Sequence, residues 1–100
     1  MDKYVVKLNE RAYRDIEDIF IYIYAEKEAP EAARKQTDRI WKALKKLETF
    51  PQSHQERTEG KYAGQEYRQL LIDNYMAIFK IDEENKIVYV VTVQYQGRNL

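Results

Sequence analysis

The fold is decided by residues 67–95, which read YRQLLIDNYMAIFKIDEENKIVYVVTVQY. Runs rich in β-branched and aromatic residues predict three strands, over 67–72, 75–81 and 86–95. Asp73-Asn74 and residues 82–85 separate these runs and have the composition of tight turns. Because such short connections join only antiparallel neighbours, the stretch predicts a three-stranded antiparallel meander.

The last run, residues 86–95, is apolar on both of its faces. Strict alternation puts one set of side chains on one face, namely Ile87, Tyr89, Val91, Val93 and Tyr95. The other face receives Val88, Val90 and Thr92. Apolar side chains on both faces predict a central strand of the sheet.

The first half of the chain predicts a strand and a pair of helices. Tyr4–Leu8 has strand composition, and Asn9 is a suitable N-cap for the helix that follows. Apolar residues at helical spacing define one buried face of that helix, namely Ala12, Ile16, Ile19 and Ile23. We expect it to end near Glu28-Ala29, because the residue before a proline is disfavoured in the α region.

The second helix is predicted to begin at Pro30, where the missing backbone donor costs nothing. Its apolar stripe consists of Ala33, Thr37, Ile40, Leu44 and Leu47, and Phe50-Pro51 ends it. Two helices joined by so short a turn pack as an antiparallel hairpin. Residues 52–64 are polar and contain two glycines, so they are predicted to form an exposed loop.

These elements predict an α+β protein with the order β-α-α-β-β-β. The antiparallel helix hairpin covers one face of a four-stranded, mostly antiparallel sheet that the opening strand completes. With 100 residues, the chain is expected to be a single domain, 1–100.

Composition narrows the chemistry that the chain can perform. It has no cysteine, which excludes disulfides, thiolate metal sites and a cysteine nucleophile. It has no phosphate-binding glycine loop, no zinc-ligand spacing and no nucleophile elbow. The seventeen basic residues balance the seventeen acidic ones, whereas proteins that grip nucleic-acid backbones broadly are usually basic. No apolar run approaches the roughly 20 residues that span a bilayer, so the cytoplasm is the expected location and no membrane partner is expected.

One stretch of the meander resembles a known family. Residues 68–82 match the run R-x-L-x-x-x-x-Y-x-x-x-Y-x-I-D of the RelE/ParE superfamily of toxins, with Phe79 where tyrosine is common. Asp15-Ile16 and Tyr22-Ile23 resemble the family's first helix, and Leu47 with Pro51 resembles the end of its second. The order and spacing of these elements extend the resemblance over essentially the whole chain.

The resemblance implies the toxin of a type II toxin–antitoxin module, a plasmid-stabilisation type of protein that inhibits growth. It implies a cognate antitoxin as partner, a toxin dimer or a heterotetramer with the antitoxin as possible assemblies, and no cofactor or metal ion. Its target is either DNA gyrase, as for ParE-like members, or ribosome-bound mRNA, as for RelE-like endoribonucleases (mRNA interferases). A relative that binds its antitoxin without being toxic is a third alternative.

The resemblance also identifies candidate site residues. Arg68 matches the arginine that RelE-like enzymes use on the scissile phosphate, and Tyr95 and Arg98 could assist catalysis. Lys61, Arg68 and Arg98 are the candidates for contact with nucleic acid or another target. The tail has glutamine where a histidine is common in catalytic relatives, and it resembles the V-x-Y-x-x-R endings of ParE-like members. Together with the balanced charge, this favours a ParE-like toxin, and whether the chain is an enzyme stays open. The only histidine, His54, is interpreted as solvent-exposed.

Overall fold

The computed structural model describes residues 3–97. Its helices and strands follow the predicted order, and two short 3₁₀ turns, Lys46–Glu48 and Pro51–Ser53, come between the second helix and the second strand. The elements are β1 (Val5–Leu8), α1 (Glu10–Lys27), α2 (Pro30–Lys45), β2 (Arg68–Ile72), β3 (Tyr75–Asp82) and β4 (Ile87–Tyr95). Neither helix of the described part is long and apolar enough to cross a membrane.

Three of the four helix boundaries lie where the sequence predicts them, whereas α2 ends at Lys45, before the predicted stop at Phe50-Pro51. Asn9 is the N-cap residue of α1 in extended conformation, but its side chain makes no capping hydrogen bond. Glu10 lies in the first turn, where the helix dipole favours a carboxylate. Glu28 ends α1 in the left-handed conformation, with a φ of 48°. Pro30 is the first residue of α2, where its missing N–H leaves no bond unmade. The two helices therefore form the predicted hairpin.

The strand order in the sheet is β1-β4-β3-β2, so β4 is central, as its two apolar faces predict. β3 is antiparallel to both β2 and β4, whereas β1 pairs with β4 in parallel. The helix hairpin is the crossover that a parallel pair requires. The sheet is therefore mixed, and the predicted α+β architecture is confirmed.

A β-bulge in β4 corrects the predicted division of its faces. Ile78 pairs with Thr92 but Phe79 pairs with Val90, so Val91 has no partner on β3. This extra residue reverses the alternation, and Val93 joins Val88 and Val90 in the core under the helices. The prediction that Val93 shares a face with Ile87 and Tyr89 was wrong, because strict alternation cannot anticipate a bulge.

The core lies between the helix hairpin and one face of the sheet. Phe79, Ile40 and Leu44 are among its largest fully buried side chains. It continues into the first 3₁₀ turn through Leu47, the last residue of the predicted stripe. On the opposite face of the sheet, Met76 and Ile78 are also buried, so both faces of β3 are covered.

The segment between the second 3₁₀ turn and β2 is more ordered than the predicted exposed loop. Gln69 donates its backbone N–H to the carbonyl of Gln55, and Arg57 donates its own to the carbonyl of Tyr67. Glu56 forms an isolated antiparallel bridge with Arg68. Residues 55–57 therefore satisfy part of the outer edge of β2, which would otherwise be an open strand edge.

Candidate functional site

A groove of about 770 Å³ opens between the helix hairpin and the end of the sheet that contains the β2–β3 turn. One wall is α1 with the beginning of α2, and the other is the β2–β3 turn with the end of β4. Its lining residues are Asp15, Asp18, Ile19, Tyr22, Ile23, Lys27, Ala32, Gln36, Asn74, Tyr75, Val93, Gln94 and Tyr95. This volume lies within the range of ligand-binding clefts in proteins.

The groove has an apolar floor and an aromatic rim. Ile19, Ile23 and Val93 are buried members of the core that also line the groove. Tyr22 and Tyr95 lie on opposite walls and remain 57% and 54% exposed. Exposed tyrosines over an apolar floor are typical of protein interfaces, because each ring supplies contact area and a polar tip.

Tyr95 is held in place by two neighbours. Its ring meets Tyr75 edge to face, with centroids 6.0 Å apart. The ring also lies close to the backbone of Gly97, where an added Cβ would come within 2.7 Å of it. Burial, and then the proximity of Tyr22 and Tyr95, raises the pKa of the Tyr75 hydroxyl above its usual 10.0. At neutral pH the Tyr75 hydroxyl is therefore a neutral hydrogen-bonding group.

Asp15 of α1 fixes the end of β4 against the helices. Its Oδ2 accepts a hydrogen bond from the Thr92 hydroxyl and another, of 3.0 Å, from the backbone N–H of Val93. β1 ends at Leu8, which pairs with Val90, so this part of β4 has no strand beside it on that edge. Asp15, which also lines the groove, supplies the acceptor that a neighbouring strand would have provided.

Hydrogen bonds from Gln96 and from α2 hold the β2–β3 turn, which forms part of the other wall of the groove. Gln96 donates its backbone N–H to the carbonyl of Asn74 at 2.7 Å, and its side-chain amide to the carbonyl of Asp73 at 2.8 Å. Asp73 in turn accepts hydrogen bonds from Gln36 and Arg39 of α2. The groove is therefore preformed, with both walls joined through α2.

Arg68 lies at the end of β2 that is away from the groove, and its side chain has a structural role. Its Nη1 donates to the backbone carbonyl of His54 at 2.6 Å and to that of Gln52 at 3.2 Å. Its Nη2 lies 3.6 Å from a carboxylate oxygen of Glu56, and the side chain is 24% exposed. The guanidinium thus fastens residues 52–56 to the start of β2.

A second polar cluster at this end fastens the same segment to β3. The Tyr4 hydroxyl donates to Glu83, and the Gln52 amide donates to both Tyr4 and Glu83. These hydrogen bonds, with smaller contributions from Lys86 and Arg68, hold the pKa of the Glu83 carboxyl below its usual 4.5. The cluster is a structural clamp, since each of its polar groups already has a partner.

His54 is half-buried, which corrects the expectation of a solvated loop histidine. Its ring meets the fully buried Phe79 edge to face, at 5.8 Å between centroids. Burial, and then the positive charge of Arg68, lowers the pKa of the imidazole below 6.5. His54 therefore packs as a neutral ring against the core.

This lowered pKa predicts a pH dependence of stability. The unfolded chain binds the proton at higher pH than the folded chain, so the free energy of unfolding falls as the pH drops through about 6.5. Glu83 has a lowered pKa of its own, but its contribution is lost only below its unfolded pKa of 4.5. We expect His54→Gln to flatten the pH dependence between about 7 and 5.5, as urea unfolding at a series of pH values would measure. An unchanged slope in this variant would refute the assignment.

The predicted site residues do not converge. Arg68 pairs with Phe79 and Tyr95 with Tyr75, so these two candidates lie about 13 Å apart along the strands and about 10 Å across them. Lys61 is exposed in the loop, with its Nζ 5.8 Å from the centroid of the Tyr62 ring. Arg98 lies outside the described residues. Within the described chain, no cation, base and acid meet at one point among these candidates.

Sequence reasoning missed most of the groove. Tyr22 falls off the apolar stripe of α1, and Tyr75 was interpreted only as a strand residue. The one available signal was the count of nine tyrosines, which fits sheet packing equally well. Residues 3–97 contain no group of three or more His, Cys, Asp or Glu side chains that could hold a metal ion.

Comparison with known sequences decides the family. The family of ParE toxins of type II toxin–antitoxin systems (parDE) matches residues 6–100, nearly the whole chain.

The chain belongs to the ParE toxin family.

Solved structures similar to this toxin support the same fold. A chain of the chromosomal ParDE toxin–antitoxin system of P. aeruginosa superposes with a TM-score of 0.74 at 19% identity, covering 93% of the toxin and 96% of that chain. A chain of the RelBE2 toxin–antitoxin complex of Mycobacterium tuberculosis gives 0.63 at 19% identity, covering 98% and 97%. The archaeal RelE–RelB complex of Pyrococcus horikoshii gives 0.64 at 16% identity, covering 96% and 98%. The search of curated proteins finds no match.

The predicted superfamily and fold are therefore confirmed, and the protein is a toxin of the type II class. At these identities the solved structures show the fold alone. The two families represented among them, ParE and RelE, share the fold that the toxin adopts.

Proposed function

We propose that the toxin works through protein contacts alone: the antitoxin neutralises it in the groove, and DNA gyrase is its target. The observation that carries this proposal is the binding of the Arg68 guanidinium to the carbonyls of Gln52 and His54. The arginine best placed by resemblance to act on a phosphate is thus already engaged.

The chemistry of RNA cleavage supports the same conclusion. Cleavage at a 2′-hydroxyl requires a base, a cation at the phosphate and an acid for the leaving oxygen, all within hydrogen-bonding distance of the reacting atoms. Arg68 and Tyr95 lie on different strands and four residue pairs apart. His54 is half-buried and its ring packs edge to face against Phe79. A protein-binding role needs none of these groups to meet.

The proposed site for the antitoxin is the groove. Two of the similar structures are toxin–antitoxin complexes, of RelBE2 and of RelE with RelB. The apolar floor of Ile19, Ile23 and Val93 suits the buried side of an antitoxin segment, and the tyrosine rim suits its edges.

The alternative is a RelE-like, ribosome-dependent endoribonuclease with Arg68 on the phosphate, Tyr95 or Arg98 assisting and Lys61 on RNA. It is favoured by the exposure of Lys61 and by the likeness to the archaeal RelE fold. It requires Arg68 to leave its two carbonyl acceptors. A toxin fold that binds its antitoxin without toxicity is the remaining possibility.

Two assays on one preparation of purified toxin test the proposal. We expect the toxin to inhibit supercoiling by purified DNA gyrase, and to leave mRNA intact on translating ribosomes. Addition of the antitoxin should restore supercoiling, which controls for non-specific inhibition. Codon-phased cleavage of mRNA with normal supercoiling would replace the proposal by the ribonuclease. No effect in either assay would establish the non-toxic relative.

A further inference from the structure

Charge is distributed very unevenly between the two helices. Residues 30–46, which form α2 and the residue after it, carry six basic and two acidic side chains, a net charge of +4. The formal net charge of the chain is zero, so the other residues together carry −4. Although the net charge of the chain is zero, α2 is therefore strongly cationic.

Four of these cations form a single ridge on the outside of α2. They recur at the spacing i, i+4, i+7 and i+11, and all four are exposed: Lys35, Arg39, Lys42 and Lys46. Side chains at this spacing lie on one face of a helix, here over a length of about 16 Å. The buried stripe of α2, with Ala33, Ile40 and Leu44, lies on the opposite side. We call these four residues the cationic ridge.

Most of the ridge lacks a counter-ion. Arg39 pairs with Asp73 at 2.6 Å. Within residues 3–97, no carboxylate lies within 4.0 Å of Lys35, Lys42 or Lys46. Cations in the last turn stabilise a helix through its dipole, which accounts for Lys42 and Lys46. Lys35 lies in the second turn, where the dipole gives it no advantage, so the ridge as a whole exceeds what helix stability requires.

We infer that the cationic ridge is a second docking surface, which binds an acidic segment of a protein partner. Electrostatic complementarity of this kind steers association and fixes register. The surface lies outside the groove: of α2, only Ala32 and Gln36 line the groove, and neither belongs to the ridge. The inference depends neither on gyrase nor on the groove as the antitoxin site.

The surroundings of the ridge favour a narrow protein segment over other occupants. α1 packs beside α2 and carries five acidic and three basic side chains, a net charge of −2. This charge is unfavourable for a nucleic-acid duplex wide enough to cover both helices. Single-stranded nucleic acid gains affinity by stacking successive bases on aromatic rings, and the only aromatic residue of α2 is Trp41. A second copy of the chain would bring like charges together across a two-fold contact.

Trp41 provides a local reporter for the test. It is the only tryptophan, it is 38% exposed, and it lies next to Lys42 in the helix. The probe is a 16-residue helical peptide without aromatic residues that carries glutamates at i, i+4, i+7 and i+11. Its control is the same peptide with glutamine at those four positions. Calorimetry measures binding, and Trp41 emission locates it on α2.

We expect saturable binding of the glutamate peptide, with a change in Trp41 emission, that weakens as salt is added. K35E/K42E should weaken it at least tenfold. The matched variant K3E/K7E changes the net charge equally at two exposed lysines near β1, and should change affinity less than twofold. Circular dichroism and thermal unfolding establish that both variants remain folded.

Three results would overturn the inference. The first is no heat of binding with the glutamate peptide at millimolar concentration and low salt. The second is an equal loss of affinity in K35E/K42E and K3E/K7E, which would indicate attraction by net charge alone. The third is tighter binding of a 16-nucleotide oligothymidylate than of the peptide, which would reassign the ridge to nucleic acid.

Discussion

Replacing Asp15 with alanine is expected to lower the free energy of unfolding by about 3 kcal/mol. The substitution removes the acceptor for the backbone N–H of Val93 and for the hydroxyl of Thr92. Both partners are buried, at 2% and 0% exposure, so water cannot replace the lost acceptor without opening the structure. A buried donor left without a partner costs its full desolvation free energy, and the bonds to a carboxylate are of the stronger kind. Urea unfolding of the wild type and the variant measures the difference.

Two matched substitutions isolate this effect. Asp15→Asn retains a side-chain oxygen that can accept one of the two bonds, and we expect it to lose about half as much as the alanine variant. Asp18→Ala removes an exposed carboxylate three residues further along α1 and should change stability by less than about 0.5 kcal/mol. A loss below about 1 kcal/mol for Asp15→Ala would contradict the role of Asp15 as the acceptor at the open edge of β4.

Truncating the tyrosines at the rim of the groove is expected to weaken antitoxin binding strongly. Tyr22→Ala and Tyr95→Ala should each reduce affinity about 30-fold, equivalent to about 2 kcal/mol, which is the loss expected for a tyrosine that is a hot spot of an interface. Both side chains are more than half exposed, so neither substitution should lower stability appreciably. Surface plasmon resonance with immobilised antitoxin measures the dissociation rates, where most of the loss should appear.

Tyr24 is the matched control for this experiment. It lies on the same helix and is 52% exposed, but it stacks on Phe20 instead of lining the groove. Tyr24→Ala should leave antitoxin affinity within about threefold of the wild type, since peripheral contacts contribute little. If Tyr24→Ala weakened binding as much as Tyr22→Ala, the antitoxin would lie across another face of α1 and the groove assignment would fail.

The sequence predicts the fold of this toxin well because its elements are marked by local chemistry. Asn9 and Pro30 mark helix starts, and Asp73-Asn74 marks the turn between β2 and β3. The apolar stripes of both helices match their buried faces. Such signals act within a few residues, so they can be recognised without the tertiary structure.

The candidate site was much less predictable, because it depends on contacts between distant residues. The bulge at Val91 places Val93 on the core side of the sheet, and no local feature of this valine-rich strand predicts a bulge. Asp15 and Thr92 are 77 residues apart, so their hydrogen bond cannot be recognised from periodicity. Tyr22 and Tyr95, which both line the groove, are 73 residues apart, so their proximity cannot be recognised from the sequence either.

Arg68 shows most clearly what a sequence motif cannot predict. Its identity and spacing allow a phosphate-binding role, whereas its actual partners are two backbone carbonyls in the preceding segment. Those carbonyls belong to residues 52 and 54, whose conformation follows from the 3₁₀ turn at Pro51–Ser53. A sequence motif specifies which side chain is present, and only the folded chain determines which groups already bind it.

The most direct test of the central claim, that this toxin damages through protein contact and not through RNA cleavage, is a single induction experiment in a bacterium. Messenger RNA ends and gyrase–DNA cleavage complexes are measured in the same culture, with and without the antitoxin. We predict that gyrase-linked DNA breaks accumulate while messenger RNA stays intact, and that the antitoxin reverses both the growth arrest and the breaks. Messenger RNA cut at codon boundaries, without gyrase-linked breaks, would contradict it.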